Sequence, residues 1–557
     1  MGIVDRRISL LFAAFLVLLS FAFLRALWLG AVSGDRLAAA AATQQVVTTE
    51  VPARRGTIVD RQGVELAVSE PADDVSATPY LVKDPVRTAA RLAPILGVPA
   101  AELTTKLARR DTGFVYLARR VRAEQAQKIE RLTDERLIEG IDLTPGTRRV
   151  YPRDWLATQV LGTVGTEGKG LAGVEYLRER QLHGSDGQRR TVRDALGEPL
   201  QVHDLRKAQP GARLELTLDA AIQDKVESVL AGVGKTYSPK SATAIVMDPR
   251  TNEILAMANW PRVNANDPGA APADALQNRA VGLTYEPGST FKAFTVAGAL
   301  EDGKVAPDTS FNLPPQIVVA DRTIGESHPR GPVTLTTAGI LAQSSNVGAI
   351  MIGQRLGKVG FDRWVRRFGF STPTGVDLPG EEQGIVPKVE DYSGSSMGNL
   401  PIGQGLAVTP MQMLTAYAAI ANGGILRAPR VVRRVDGEPA PRPRGRRILS
   451  RETAAHVRGM LEGVFASGGT AAEVAIRGYK LAGKTGTANK VDARTGEYSK
   501  ANYVASFVGF APADKPRLLV SVMVDEPKGA IYGGAVAAPA FGKITEFGLS
   551  YLRVPPA

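Results

Sequence analysis

The chain has 557 residues, 44% of them hydrophobic, no cysteine, four histidines and a net charge of +12. That length and apolar content suit about three to four domains at most and exclude a disordered chain, while the missing cysteines exclude disulfides, thiolate metal sites and thiol nucleophiles. His183, His203, His328 and His456 never fall within one helical turn of each other, which excludes the paired-histidine zinc motif, and the basic balance by itself suits nucleic acid, anionic membrane and anionic polymer alike.

Residues 8–24 carry no charge, and after Arg25 the apolar stretch resumes through Leu29. A helix needs about 20 such residues to cross a bilayer, so 8–30 is expected to span one, with Arg25 snorkelling and Trp28 at an interface. Arg6 and Arg7 precede the span with only Asp5 opposing them. The positive-inside rule then leaves 1–7 in the cytoplasm and everything after Gly30 outside the cell membrane. A cleaved leader is the alternative, since Ala38 to Ala42 offer small-residue cleavage sites. The apolar run exceeds the roughly 7–15 residues of such leaders, however, and those alanines lie well past its end.

A first extracytoplasmic unit is expected over 31–207, with short β-branched runs and a basic patch, Arg119 to Arg131, that reads as helical. The turn cluster Gly184-Ser-Asp-Gly187 and the breaker Gln209-Pro-Gly211 set its end, leaving 208–557 as a second unit. There Leu214 to Leu218 alternates like a strand, and Asp219 is placed to cap a helix running through Ile222, Val226 and Leu230. Ala242 to Met247 and Glu253 to Asn259 read as strands around a turn, and Ala505 to Phe510 and Leu518 to Val524 as later strands. Such an order predicts an α+β domain, an antiparallel sheet flanked by helices. The stretch Glu438 to Arg447 reads as a solvated loop.

Three short motifs in the second unit carry candidate chemistry. Ser289-Thr-Phe-Lys292 follows Pro287-Gly288 and opens an apolar helix, which places Ser289 in its first turn and Lys292 over it at i+3. A serine hydroxyl needs a base to become a nucleophile, and an ammonium cannot be that base. Burial of Lys292 and a nearby Lys484 would both favour the neutral amine, while the helix N-terminus and the Ser289 N–H would stabilise an oxyanion. Lys484-Thr485-Gly486-Thr487 reads as strand, with Gly486 letting a substrate lie against the backbone and the flanking Lys and Thr side chains available to a carboxylate. Ser344-Ser345-Asn346 precedes the helical stretch Val347 to Leu356. Each motif alone has a plain structural alternative: a serine cap with a surface lysine, an ordinary turn, and a helix cap.

Together the three resemble the Ser-x-x-Lys, Ser-x-Asn and Lys-Thr-Gly set of penicillin-binding proteins and serine β-lactamases. Arg55-Gly-Thr-Ile-Val-Asp-Arg-Gln-Gly63 with Leu66-Ala67, Arg149-Val-Tyr-Pro152 and Gly170-Leu-Ala-Gly-Val-Glu175 resemble pedestal motifs of the class B penicillin-binding proteins. Gly403-Gln-Gly405, Val408-Thr-Pro-Met-Gln412 and Ala416-Tyr-Ala418 are also similar to that family, so the likeness covers nearly the whole chain. Ser344-Ser-Asn-Val347 with Lys484-Thr-Gly-Thr-Ala488 resembles the septal, FtsI-type branch.

The resemblance implies a penicillin-binding transpeptidase fold over 208–557, an elongated, dimerisation-like pedestal over 31–207 and one transmembrane anchor. It implies a serine D,D-transpeptidase in which Ser289 attacks the penultimate D-alanine of a peptidoglycan stem peptide, and an amine of a second stem then takes the acyl group. Lys292 would be the base, Ser344 a proton relay and Asn346 an orienter. Lys484 would tune the site, and Thr485 and Thr487, flanking Gly486, would bind the terminal carboxylate, with the Thr487 N–H as second oxyanion donor. No metal or cofactor is implied. The implied partners are stem peptides, β-lactams, the cytoplasmic membrane, a SEDS-type glycan polymerase and divisome membrane proteins, and no nucleic acid. The alternatives are an elongation- or sporulation-specific transpeptidase and a membrane-bound β-lactam sensor. A β-lactamase is disfavoured because no Glu-x-x-Leu-Asn segment lies between Asn346 and Lys484.

Overall fold

The computed structural model describes residues 3–31, 46–193, 199–492 and 494–556. Ile3–Ala31 is a single helix whose apolar part, Arg6–Leu29, has a mean hydropathy of 2.4 and is not buried against the rest of the chain. Its 24 residues reach about 36 Å at 1.5 Å each, enough for a hydrocarbon core of roughly 30 Å. The alanines at 38–42 lie outside the described residues.

In the pedestal the long strand Glu65–Ala77 pairs antiparallel with Val115–Arg122 on one side and Ile141–Val150 on the other. Helices Pro85–Leu96, Ala100–Leu107 and Ala123–Asp134 bury Leu92, Leu103, Leu107 and Ile129 in one cluster with Val75 and Leu117 of these strands. The basic patch is therefore half strand: Arg119 and Arg120 lie in Val115–Arg122, and the helix starts only at Ala123. Asp74 on the neighbouring strand accepts from the Arg119 side chain at 3.1 Å and from the Arg120 N–H at 2.7 Å, a tertiary preference that local sequence does not reveal.

The three pedestal motifs meet at one carboxylate. Glu175, fully buried, accepts from Arg55 Nε and Arg149 Nε, both at 2.6 Å, and from Tyr151 Oη at 3.4 Å. Arg55 also pairs with Glu179 at 2.7 Å, and Arg149 donates to the Gly56 carbonyl at 2.8 Å. Removing one partner of such a buried set strands the rest, at a cost of about 3–5 kcal/mol. Glu175→Ala is accordingly expected to lower the melting temperature of the detergent-solubilised chain markedly, and an unchanged melt would show that water reaches the two guanidiniums.

The first and second units share a sheet. Ile58–Val59 pairs antiparallel with Glu65–Ala77 and parallel with Leu214–Leu216, which pairs in turn with Val432–Val435. Asp60 completes the seam, accepting from the Ala220 N–H at 3.0 Å beside Asp219, whose carboxylate caps helix Ala220–Tyr237.

The main sheet of the second unit runs in the order Glu253–Trp260, Ser241–Asp248, Leu518–Asp525, Tyr498–Ala511 and Ala482–Val491, antiparallel throughout. Because successive side chains point to opposite faces, a strand covered on both sides divides its residues between two cores. Leu518, Val520, Val522 and Val524 pack with Ile222, Val226 and Phe541 of helices Ala220–Tyr237 and Ala538–Tyr551. Leu519 and Met523 face the other core, with Phe294 of Lys292–Glu301 and Met413 of Pro410–Ala421. The strand carrying Lys484 to Thr487 is left at an edge, where its outward backbone groups are free to pair with a guest.

Candidate active site

Gly288 opens the turn that presents Ser289. Its φ of +53° is left-handed, its N–H donates to the Gly403 carbonyl at 3.0 Å, and a Cβ there would press on Ala488 and the Thr487 carbonyl at 3.2 Å. Gly288–Phe291 is a single 3₁₀ turn, so Ser289 sits in the turn before helix Lys292–Glu301 rather than in that helix's first turn. Behind it Phe291 and Phe294 are fixed by an aromatic cluster with Phe361, Phe370 and Tyr417, and the Tyr417 hydroxyl donates to the Thr290 carbonyl at 2.7 Å. The serine is thus held at the end of a rigid, fully packed support.

Ser289 lines a cleft of about 900 Å³ together with Ser344, Asn346, Thr485 and Thr487. Lys292 and Lys484 lie beneath its surface, 1% and 0% exposed. Lys292 Nζ donates to the Ser344 carbonyl and to Asn346 Oδ1, both at 2.6 Å, and to Ser344 Oγ at 3.4 Å. No hydrogen bond joins it to Ser289 among the described residues. Its donors are taken up by acceptors from a distant segment, as a buried amine requires. Ser344 adopts a left-handed φ of +61°, which turns its carbonyl toward that amine, and the cap of helix Asn346–Arg367 is the next residue, Ser345, accepting from the Gly348 N–H at 3.0 Å.

Burial lowers the pKa of Lys292 to about 7, against the opposing pull of Glu326. Burial also holds Lys484 well below its ordinary value, with the Lys292 charge adding to the effect. Repulsion between the two buried amines disfavours charging both at once. A carboxylate nearby and three acceptors favour the protonated form of Lys292.

Along the edge strand, Thr485 Oγ1 shares a 2.7 Å hydrogen bond with Thr470 Oγ1, and Thr487 Oγ1 accepts from the Gly533 N–H at 3.1 Å. Gly486 is also required by packing. A Cβ there would collide with Ser506 Oγ, Thr290 Cγ2 and the Pro287 carbonyl, so its bareness lets the strand close on the Ser289 turn.

The penicillin binding protein transpeptidase domain matches residues 242–546, and the penicillin-binding protein dimerisation domain matches 50–216. The chain belongs to the penicillin-binding protein family. This penicillin-binding protein is 33% identical to the peptidoglycan D,D-transpeptidase FtsI of Escherichia coli K12, over 99% of this chain and 92% of that one. It is also 33% identical to the stage V sporulation protein D of Bacillus subtilis, over 94% and 82% respectively. In three dimensions it is similar to penicillin binding protein 3 of Mycobacterium tuberculosis complexed with aztreonam, with a TM-score of 0.72, 31% identity and coverage of 91% and 98%.

Sequence reasoning missed several cleft residues of this penicillin-binding protein. Thr470 follows Gly468-Gly469, a turn signal that carried no hint of the Thr485 contact. His328 and Tyr532 pair their rings at 5.1 Å across the cleft wall, and Glu326 supports Ser345 and Asn346 from a separate loop.

Proposed function

We propose that this penicillin-binding protein cross-links peptidoglycan stem peptides at the division septum, through an acyl-enzyme on Ser289. The enzyme is a serine-type D,D-transpeptidase. Ser289 Oγ attacks the carbonyl of the penultimate D-alanine, its proton passing to the neutral amine of Lys292, and the tetrahedral oxyanion collapses with expulsion of the terminal D-alanine. The leaving amine takes up the proton through Ser344. An amine of a second stem then attacks the ester, loses a proton to the same relay, and restores the Ser289 hydroxyl. Asn346 orients the peptide, Lys484 shapes the field, and Thr485 and Thr487 hold the terminal carboxylate. β-Lactams follow the first half of this course.

The observation that carries the reading is the buried Lys292 amine, held near neutrality in pKa and bonded to both Ser344 and Asn346 directly under a cleft that exposes Ser289. Arg6 and Arg7 at the N-terminal end of the apolar helix support an N-terminus in the cytoplasm, with the pedestal and catalytic region outside. A SEDS-type glycan polymerase and divisome membrane proteins are the proposed partners, supplying the glycan strands whose stems this enzyme cross-links.

The septal assignment rests on the Ser344-Ser-Asn-Val347 and Lys484-Thr-Gly-Thr-Ala488 pattern. Depletion in the parent bacterium is expected to give filaments with unfinished septa. Rounded cells with normal septa would assign the enzyme to elongation, and a defect confined to spores would assign it to sporulation.

A further inference from the structure

We infer that Glu326, which none of the three motifs contains, is a positioning residue of the acylation centre: it clamps Ser345 and Asn346 so that the Asn346 side chain and the Ser344 carbonyl are presented to Lys292. Glu326 follows the hairpin strand Arg322–Gly325 and lies in the cleft wall with its side chain 6% exposed. Its Oε1 accepts from Ser345 Oγ at 2.6 Å and from Arg330, and its Oε2 accepts from the Asn346 N–H at 2.6 Å. The carboxylate thus sits on the first N–H of helix Asn346–Arg367, where a negative charge is favoured, and ties the Ser345 cap to it.

The neighbouring Gly325 carbonyl accepts from Asn346 Nδ2 at 2.9 Å. That bond decides which way the amide points: with Nδ2 engaged by a carbonyl, Oδ1 is left to accept from Lys292. Two consecutive residues of the hairpin therefore hold Asn346 by its backbone and by its side chain. Ser344, one residue before the clamped pair, is carried into its left-handed turn with them.

The clamp also carries charge. Lys292 faces Glu326 from the hairpin and Lys484 from the edge strand, while Glu326 faces Arg330 of its own loop, with His328 at the cleft wall between them. Glu326 is the anion of this group, and it favours the protonated form of Lys292. A purely mechanical prop would influence the rate without touching the protonation of that amine.

The inference rests on Lys292 acting as the base for Ser289, and the test separates the two. Acylation of the full chain in membranes by a fluorescent penicillin is followed in time across pH for wild type, Glu326→Gln and Glu326→Asp. Total labelling at saturation reports the folded fraction. Glu326→Gln, close in shape but uncharged, is expected to slow acylation by about 10–100-fold through misplacement. It is also expected to move the acid limb of the rate profile to lower pH, because Lys292 loses the charge that supports its ammonium. Glu326→Asp keeps the charge with a shorter reach, so its limb should stay at the wild-type pH while its rate falls. A Glu326→Gln limb that coincides with wild type overturns the inference whatever the rate, and so does a rate within twofold of wild type. Should Glu326→Gln fail to label fully, a Glu326→Asp rate equal to wild type overturns it instead. A wild-type profile with no acid limb overturns the base assignment, and this inference with it.

Discussion

Replacing Ser289 with alanine is expected to abolish covalent labelling by penicillin while the chain stays folded. Ser289 Oγ makes no hydrogen bond among the described residues, and the turn that carries it is held by Gly288, Thr290 and Phe291 instead. Loss of one unengaged hydroxyl in a cleft should leave stability within about 0.5 kcal/mol of wild type. Chemistry, by contrast, loses its only proposed nucleophile. A gel of membranes treated with fluorescent penicillin, paired with a melting curve, reads both quantities. Residual labelling on a folded variant would move the nucleophile elsewhere and end the proposed mechanism.

Lys292→Arg should be nearly as damaging as Lys292→Ala. Arginine offers donors to the Ser344 carbonyl and Asn346 Oδ1 but stays protonated, whereas a base must be able to present a lone pair. General-base assistance contributes about 10²–10⁴-fold, and that is the expected loss in acylation rate for either variant. The sign with pH follows from burial, which lowers the Lys292 pKa to about 7. Below that value the amine is an ammonium and cannot accept the Ser289 proton, so wild-type acylation should climb with pH through about 7 and then level off. An arginine variant that acylates at the wild-type rate would make Lys292 a fixed charge rather than a base.

The regular elements were legible where local pattern and tertiary environment agree. Leu518–Asp525 is an uninterrupted apolar strand because both faces are covered, and Asp219 caps its helix through bonds that span only three residues. The site motifs were legible for the same reason, each being a few residues wide. What lay beyond reach depends on distant chain. Glu326 is 20 residues from the N–H it accepts and belongs to no motif, and Glu175 gathers Arg55 from 120 residues away. Gly486 was placed correctly on a strand, yet the reason for a glycine there is the Thr290 methyl and Pro287 carbonyl on a turn nearly 200 residues earlier. The acceptors that Lys292 uses, on Ser344 and Asn346, lie more than 50 residues away along the chain.

The sheet shared by pedestal and catalytic region constrains the order in which the molecule can assemble. Ile58–Val59 is made early in synthesis, its parallel neighbour Leu214–Leu216 much later, and Val432–Val435, which pairs with that neighbour, only when most of the chain exists. Pairings of such long sequence separation form slowly, because loop closure must precede any gain from contact. A nascent pedestal therefore waits with an unpaired strand edge, and with Arg55 lacking its carboxylate until Glu175 arrives. Closure of the sheet is a late, whole-chain event, and shortening the chain before Val432 removes support from a unit that ends some 200 residues upstream.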